Sequence, residues 1–466
     1  MRKIKICGAV FIGVLLSFMY SCLGGSNDLN DWEMGNAQIG VFSLESELMP
    51  GLSEVIFTID QINGLIYNKD SMPHDTPTGH KAMVTISFDC PFGIGRILFI
   101  EQATGDTLQN VSDSINFAQP VLIEVTAYDG LTTKIYEAKL NIHQTNPDTM
   151  IWEKYADILP GRAFQDMKTL MFQDSCYLYA IENSVCQLFT SDMEDLINWE
   201  QLTLSGFPND ALIMQMTLFQ DELNVITESG HLYYSSDGKE WTQAAVDVSI
   251  KSLLGYLPRN IISGRNDVIC CIAEIDGVLR FVTIDKQLSC IVGQPVPETF
   301  PLSGFNQFNY EYFYYPRLVV ATGRDSKNEP TDMAWASMDG ISWAALSSND
   351  KKFSKREGSS VFFYDQCFFV VGGIQYYGAT KDISFSIDQG ITWFEEFYVY
   401  NSELLDYELE SYYSMPEEFV ARAYASVIVD KDNYMLLFGG KATNNANVMN
   451  EIWRGRINRL GFGKSR

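Results

Sequence analysis

At 466 residues, with 46% hydrophobic and 13% aromatic content, the chain is too long for one small core and too apolar for wholesale disorder. Its formal net charge of −26 repels nucleic acid and anionic lipid headgroups, which excludes both as direct partners. Two or more domains are expected.

The N-terminus reads as an address label. Arg2, Lys3 and Lys5 precede an apolar run over residues 6–20 that is too short to span a membrane comfortably. The run ends at Ser21-Cys22, and Leu23-Gly24-Gly25-Ser26-Asn27-Asp28 follows. A signal peptide over 1–21, an acylated Cys22 and a tether over 22–37 are expected, since a small residue before a cysteine resembles a lipobox. Membrane attachment would then come only through the lipid on Cys22. Beyond Cys7 and Cys22 stand seven cysteines at irregular spacing. They form no disulfide framework and read mostly as small core residues, and the spacing leaves open whether Cys176 and Cys186 pair. Four histidines, at 74, 80, 143 and 231, show no ligand-like spacing, so neither a metal nor a cofactor is expected.

Residues 38–145 alternate apolar and polar in short runs: Val55–Asp60, Ala82–Phe88, Arg96–Ile100, Val121–Ala127 and Lys134–Ile142. Turn signals at Asn63-Gly64, Gly105-Asp106 and Asp129-Gly130 separate them. About a hundred residues of short strands without helical periodicity predict an Ig-like β-sandwich.

From 146 to 466 an internal period takes over. Tryptophans at 199, 241, 343, 393 and 453 divide the region into six units of 42 to 60 residues, the size of a four-stranded propeller blade. Trp152 allows a seventh, incomplete blade, or a strand that closes the ring against Glu451–Arg454. Arg162, Arg259, Arg356 and Arg422 stand in similar openings of their units, such as Leu159-Pro-Gly-Arg162 and Phe419-Val-Ala-Arg422. Apolar strands closing in Gly372-Gly373 and Gly439-Gly440 follow the last two. The aromatic run Phe305–Tyr315 reads as buried strand. Three turns nearly repeat one another: Ser235-Ser-Asp237-Gly238-Lys-Glu-Trp241, Ser337-Met-Asp339-Gly340-Ile-Ser-Trp343 and Ser386-Ile-Asp388-Gln-Gly390-Ile-Thr-Trp393. In each, the carboxylate can accept from turn N–H groups, the glycine supplies a positive φ, and the indole buries between sheets.

The three turns resemble the Asp-box, and the opening arginine, Gly-Gly and late tryptophan resemble the Kelch repeat. The fold class expected is all-β, an Ig-like β-sandwich followed by a six-bladed (alternatively seven-bladed) Kelch-like β-propeller. Lipobox, sandwich and propeller together resemble surface lipoproteins of Bacteroidota-type bacteria that pair an Ig-like domain with a Kelch-type/Asp-box propeller. The resemblance implies export and anchoring to the outer membrane, facing the cell surface.

A role as a non-catalytic binding platform for a glycan or a protein is expected. The four opening arginines would ring one channel mouth, or else pair with acids and carbonyls to close the ring. The long connection 394–419 carries eight acids interleaved with tyrosines, among them Tyr407, Tyr412 and Tyr413, and would add stacking and hydroxyl recognition beside the arginines. An exo-acting glycoside hydrolase of the sialidase-like propeller type is the alternative. It would require an arginine cluster and a Tyr–Glu pair, and no catalytic residue can be singled out from the sequence.

Overall fold

The computed structural model describes residues 34–461 except 75, 78–80, 103, 110–113, 348–350, 402–405, 411 and 445. The apolar leader and Cys22 lie outside the described residues. The chain is all-β and divides into two compact units between Pro147 and Asp148.

In the N-terminal unit, alternation of side chains dictates two sheets around one core. A six-stranded sheet runs in the order Phe57–Asp60, Leu65–Asn68, Thr133–Lys139, Val121–Ala127, Ile94–Glu101, Thr107–Leu108. A three-stranded sheet runs Ile39–Glu45, Lys81–Phe88, Ile115–Asn116. Every second residue of Val121–Ala127 is buried, and Phe99, Ile123, Val125 and Tyr136 share a core with Ile39, Phe42, Leu44 and Val84 of the other sheet. The Asn63-Gly64 turn forms because the Asp60 carboxylate accepts from the Ile62 and Asn63 N–H groups at 2.9 and 3.0 Å. The strands Leu65–Asn68 and Thr133–Lys139 pair in parallel.

The C-terminal unit is a β-propeller. Among the described residues it holds six sheets of three or four strands, joined in sequence by antiparallel meanders. Their first strands are Asp166–Phe172, Thr217–Phe219, Ile250–Leu257, Asn306–Tyr312, Ser360–Tyr364 and Ser426–Val429. Residues from all six line a common central cavity of about 380 Å³. The sixth sheet is built from both ends of the unit. Met150–Asp157 pairs antiparallel with Glu451–Ile457, setting Trp152 opposite Gly455. Apolar clusters fill the gaps between sheets, as where Phe281, Phe300, Trp335 and Trp343 meet across the third and fourth.

The three repeated turns are built alike. Asp388 Oδ1 accepts from Ser386 Oγ and Thr392 N at 2.8 Å each, and Trp393 Nε1 donates to Gly390 O at 3.0 Å. Asp237 and Asp339 accept in the same way from Ser235, Lys239 and Glu240 and from Ser337, Ile341 and Ser342. Trp241 and Trp343 donate to Gly238 O and Gly340 O. Gly390 takes φ 88° and faces Leu346 and Phe368 so closely that a Cβ there would meet them at 2.9 and 3.3 Å. The turn therefore docks against a neighbouring sheet.

One reading of the sequence needs correction, and one that it left open is answered. Phe305–Tyr315 is strand only as far as Tyr312, and the tip residues Phe313 and Tyr314 are exposed at the turn to Tyr315–Ala321. Cys176 and Cys186 are both free thiols. Each sits among apolar neighbours, and burial pushes Cys186 up to about 12.

Candidate channel-mouth site

The starts of the inner strands and the connections from second to third strands lie at one end of the propeller, because the strands of each sheet alternate in direction. Arg162, Arg356 and Arg422 are at this end, but they do not present free guanidinium groups. Arg356 is fully buried and donates to Ser354 O at 3.0 Å and Gly372 O at 3.2 Å. Arg422 repeats the pattern with Val420 O at 2.9 Å and Gly439 O at 3.0 Å, and its remaining nitrogen reaches Glu451 Oε2 at 2.8 Å. Burial pulls both guanidinium groups below their ordinary pKa. Gly440 follows from this arrangement. The stem of Arg422 lies against Gly440, where a Cβ would meet its Cδ at 2.9 Å. These two arginines are structural forks binding each strand entry to the next strand of its sheet. Arg162 is half-buried and pairs with Glu182 at 2.5 Å and Gln187 at 2.6 Å. Arg259 lies elsewhere. The inner strand of its sheet is Ile250–Leu257, so Arg259 falls in the following turn, at the opposite end of the propeller, where its N–H donates to Asp267 at 2.9 Å. The four arginines do not converge.

The long connection also differs from expectation. It contains a hairpin of Phe397–Asn401 and Asp406–Glu410. Tyr407 lies on it, with its side chain outside the described part. Tyr413 is buried, and Tyr412 packs on the same cluster between the fifth and sixth sheets. Both are drawn in because the chain bridges to the start of Met150–Asp157, with Met150 N donating to Tyr412 O at 2.9 Å. Tyr413 belongs to the core, and Tyr412 is partly buried against it.

What does gather at the mouth is a network centred on Glu357. Arg324 grips its carboxylate in a bidentate fork, Nε to Oε2 at 2.7 Å and Nη2 to Oε1 at 2.6 Å. Tyr424 Oη donates to Oε2 at 3.0 Å, and Asn444 Nδ2 to Oε1 at 3.3 Å. Burial would raise the Glu357 carboxyl, but these donors outweigh it and hold the group below its ordinary value. Burial, and then the Glu357 charge, push the Tyr424 phenol well above an ordinary tyrosine. Lys441, paired with Asp166 at 2.6 Å, lies 5.4 Å from the Tyr424 ring centroid.

Several non-glycine residues take a positive φ, and Tyr424 is set apart among them by its place in the repeat. Gly304, Gly358 and Tyr424 occupy equivalent places before the fourth, fifth and sixth inner strands, at φ 60°, 67° and 59°. Their peptides bond from sheet to sheet, Gly358 N to Gly304 O and Tyr424 N to Gly358 O, both at 2.6 Å. A tyrosine in this left-handed conformation costs about 1–2 kcal/mol where glycine costs little. In exchange, its ring covers Gly358, where a Cβ would meet it at 2.9 Å, and its hydroxyl reaches Glu357. Beside the network, Glu357 bridges to Ile374, and a short hairpin from there carries Tyr376 and Tyr377 at its tip, 90% and 96% exposed with ring centroids 5.0 Å apart.

Glu357, Tyr424, Arg324 and this hairpin were not singled out from the sequence. The one available signal was Tyr424 standing where the preceding units place glycine.

Comparison with known proteins follows the same division of the chain. Residues 146–465 match the family described as DUF6242 beta propeller domain, and residues 41–140 match the domain of unknown function (DUF6242) N-terminal domain. No curated protein matches. Among solved structures, that of YjhT is similar, at 11% identity and a TM-score of 0.43 over 63% of this chain and 95% of that one. With its propeller matched over more than half of its length, the chain belongs to the DUF6242 family.

Proposed function

We propose that the propeller is a non-catalytic binding platform for a glycan, engaged at the channel end that bears Glu357, Arg324 and Tyr424. The observation that carries this reading is the strained Tyr424, held by a carboxylate–guanidinium pair at a place where the two preceding units use glycine. Backbone strain of this kind clusters at ligand sites. Sugar hydroxyls both donate and accept, which suits a rim offering a carboxylate, a guanidinium, an amide and a phenol. The exposed Tyr376 and Tyr377 rings add apolar faces for a pyranose. A hydrolase of the sialidase-like type would need a tyrosine poised to ionise. Tyr424 has the opposite poise, since its hydroxyl donates to an ionised glutamate and its pKa is raised. Export and lipid attachment at Cys22, with the N-terminal sandwich as an Ig-like spacer, complete the proposal and rest on residues 1–22 and on strand patterning.

A glycan array probed with the mature chain tests it. Retention of a glycan without product release is expected, and it should fall in Tyr424→Phe and in Tyr376→Ala/Tyr377→Ala. Absence of retention across the array, or appearance of cleaved product, would overturn the reading.

A further inference from the structure

The central cavity contains a charge that the fold does not neutralise. Lys168 lies on the inner strand Asp166–Phe172, is 7% exposed, and lines the cavity. None of the cavity's lining residues is acidic, and among the described residues Lys168 has no ion pair or hydrogen bond. Desolvation alone acts on the amine and lowers it to about 8, so at neutral pH it stays mostly protonated. A buried cation without a partner is costly, and proteins keep such groups where something else supplies the counter-charge. One further polar side chain of the same wall, that of Gln307, makes no hydrogen bond among the described residues, while Thr169 Oγ1 is unpartnered but closed off from solvent. Ser426 Oγ is positioned beside them by accepting from Thr169 N at 3.0 Å. The rest of the wall is largely apolar, including Met216, Leu218 and Phe308.

We propose that this cavity binds a small organic monocarboxylate, with Lys168 Nζ as its counter-ion, Gln307 as a hydrogen-bond partner and the apolar wall around its carbon skeleton. A single lysine matches one negative charge, and a dianion would bury an excess. A volume near 380 Å³ falls in the lower part of the range of small-molecule sites, roughly 300–1,000 Å³. The site is distinct from the mouth network, since none of Glu357, Arg324 and Tyr424 lines the cavity.

The test is calorimetric titration of the mature chain with butyrate, with its neutral isostere butyramide, and with chloride at matched ionic strength. Butyrate should bind at one site, while butyramide and chloride should not compete. Lys168→Met, which keeps the apolar stem, should weaken butyrate by roughly tenfold or more and raise the unfolding temperature, because an unpaired buried charge is removed. Lys168→Arg should retain binding. The proposal is overturned if wild type ignores butyrate at millimolar concentration, if Lys168→Met binds it as well as wild type, or if chloride displaces it equally. It is equally overturned if Lys168→Met melts lower than wild type, which would make the lysine a structural group.

Discussion

Replacing Arg422 by methionine separates a structural arginine from a ligand-gripping one. Its guanidinium holds two carbonyls, Val420 O and Gly439 O, and one carboxylate, Glu451 Oε2. It also stacks 4.3 Å from the Phe419 ring centroid. Methionine preserves much of the stem packing but none of the donors. Each buried carbonyl left unpaired costs about 1–3 kcal/mol, and removing one partner of a buried ion pair costs about 3–5 kcal/mol. Relief is available on one side only. The Glu451 side chain is 26% exposed and keeps Lys154 at 3.4 Å, so its charge is partly rehydrated. A loss of about 3–5 kcal/mol is therefore expected, with the two carbonyls near the lower end of their range and the ion-pair cost largely relieved. The assay is equilibrium urea unfolding followed by tryptophan fluorescence, since Trp453 donates to the same Glu451 carboxylate and packs on Phe419. The midpoint should fall with little change in slope. An unchanged midpoint, or glycan binding lost at full stability, would refute the structural assignment of this residue.

Three further outcomes are expected. Asp388→Ala should cost about 1–2 kcal/mol through lost turn hydrogen bonds and Trp393→Ala about 3–5 kcal/mol through the cavity left behind, with ligand binding intact below the melting temperature in both. Glu357 and Glu451 have folded-state pKa values depressed below the ordinary 4.5, so their contribution is complete above 4.5 and is lost as pH falls through the lower folded values. Acid unfolding should be correspondingly steep below that point, and Glu357→Gln should flatten it. If Cys22 carries the lipid, Cys22→Ala should move the protein from the membrane to the soluble fraction, and continued membrane pelleting would count against the anchor.

Much of the fold is written in short-range pattern. Alternation located Val121–Ala127, the Asn63-Gly64 turn needs only Asp60 and a positive φ, and recurring tryptophans gave the propeller its period. The candidate site is harder to read because its meaning depends on partners distant in sequence. Arg356 and Arg422 look like surface cations until their carbonyl acceptors, 16 and 17 residues onward, are known. Arg259 was misplaced because Leu257-Pro-Arg imitates a unit opening, when in fact Pro258 follows the end of an inner strand. Tyr412 and Tyr413 sit in an acidic stretch whose composition says surface, and a backbone bond from Met150 draws Tyr413 into the core and Tyr412 against it. Glu357 meets Arg324 across 33 positions and Tyr424 across 67, a meeting produced only by closure of the ring.

Within the central cavity, a polar group that the fold leaves unused points to a ligand more directly than residue type does. Arg356, Arg422 and Arg162 are each fully engaged by carbonyls, acids or an amide of the propeller, and Lys441 is engaged by Asp166, so their charge is balanced before any ligand arrives. Lys168 is the reverse case. It is a cation in a chain of net charge −26, buried on an inner strand with no acid in the cavity it lines. With so many carboxylates in the sequence, an internal partner was readily available, and a structural lysine at this place gains nothing from lacking one. Tyr376 and Tyr377 follow the same logic at the rim. Two large rings at a hairpin tip forgo the burial that the propeller gives its other aromatic residues, and a ligand's apolar face would restore it.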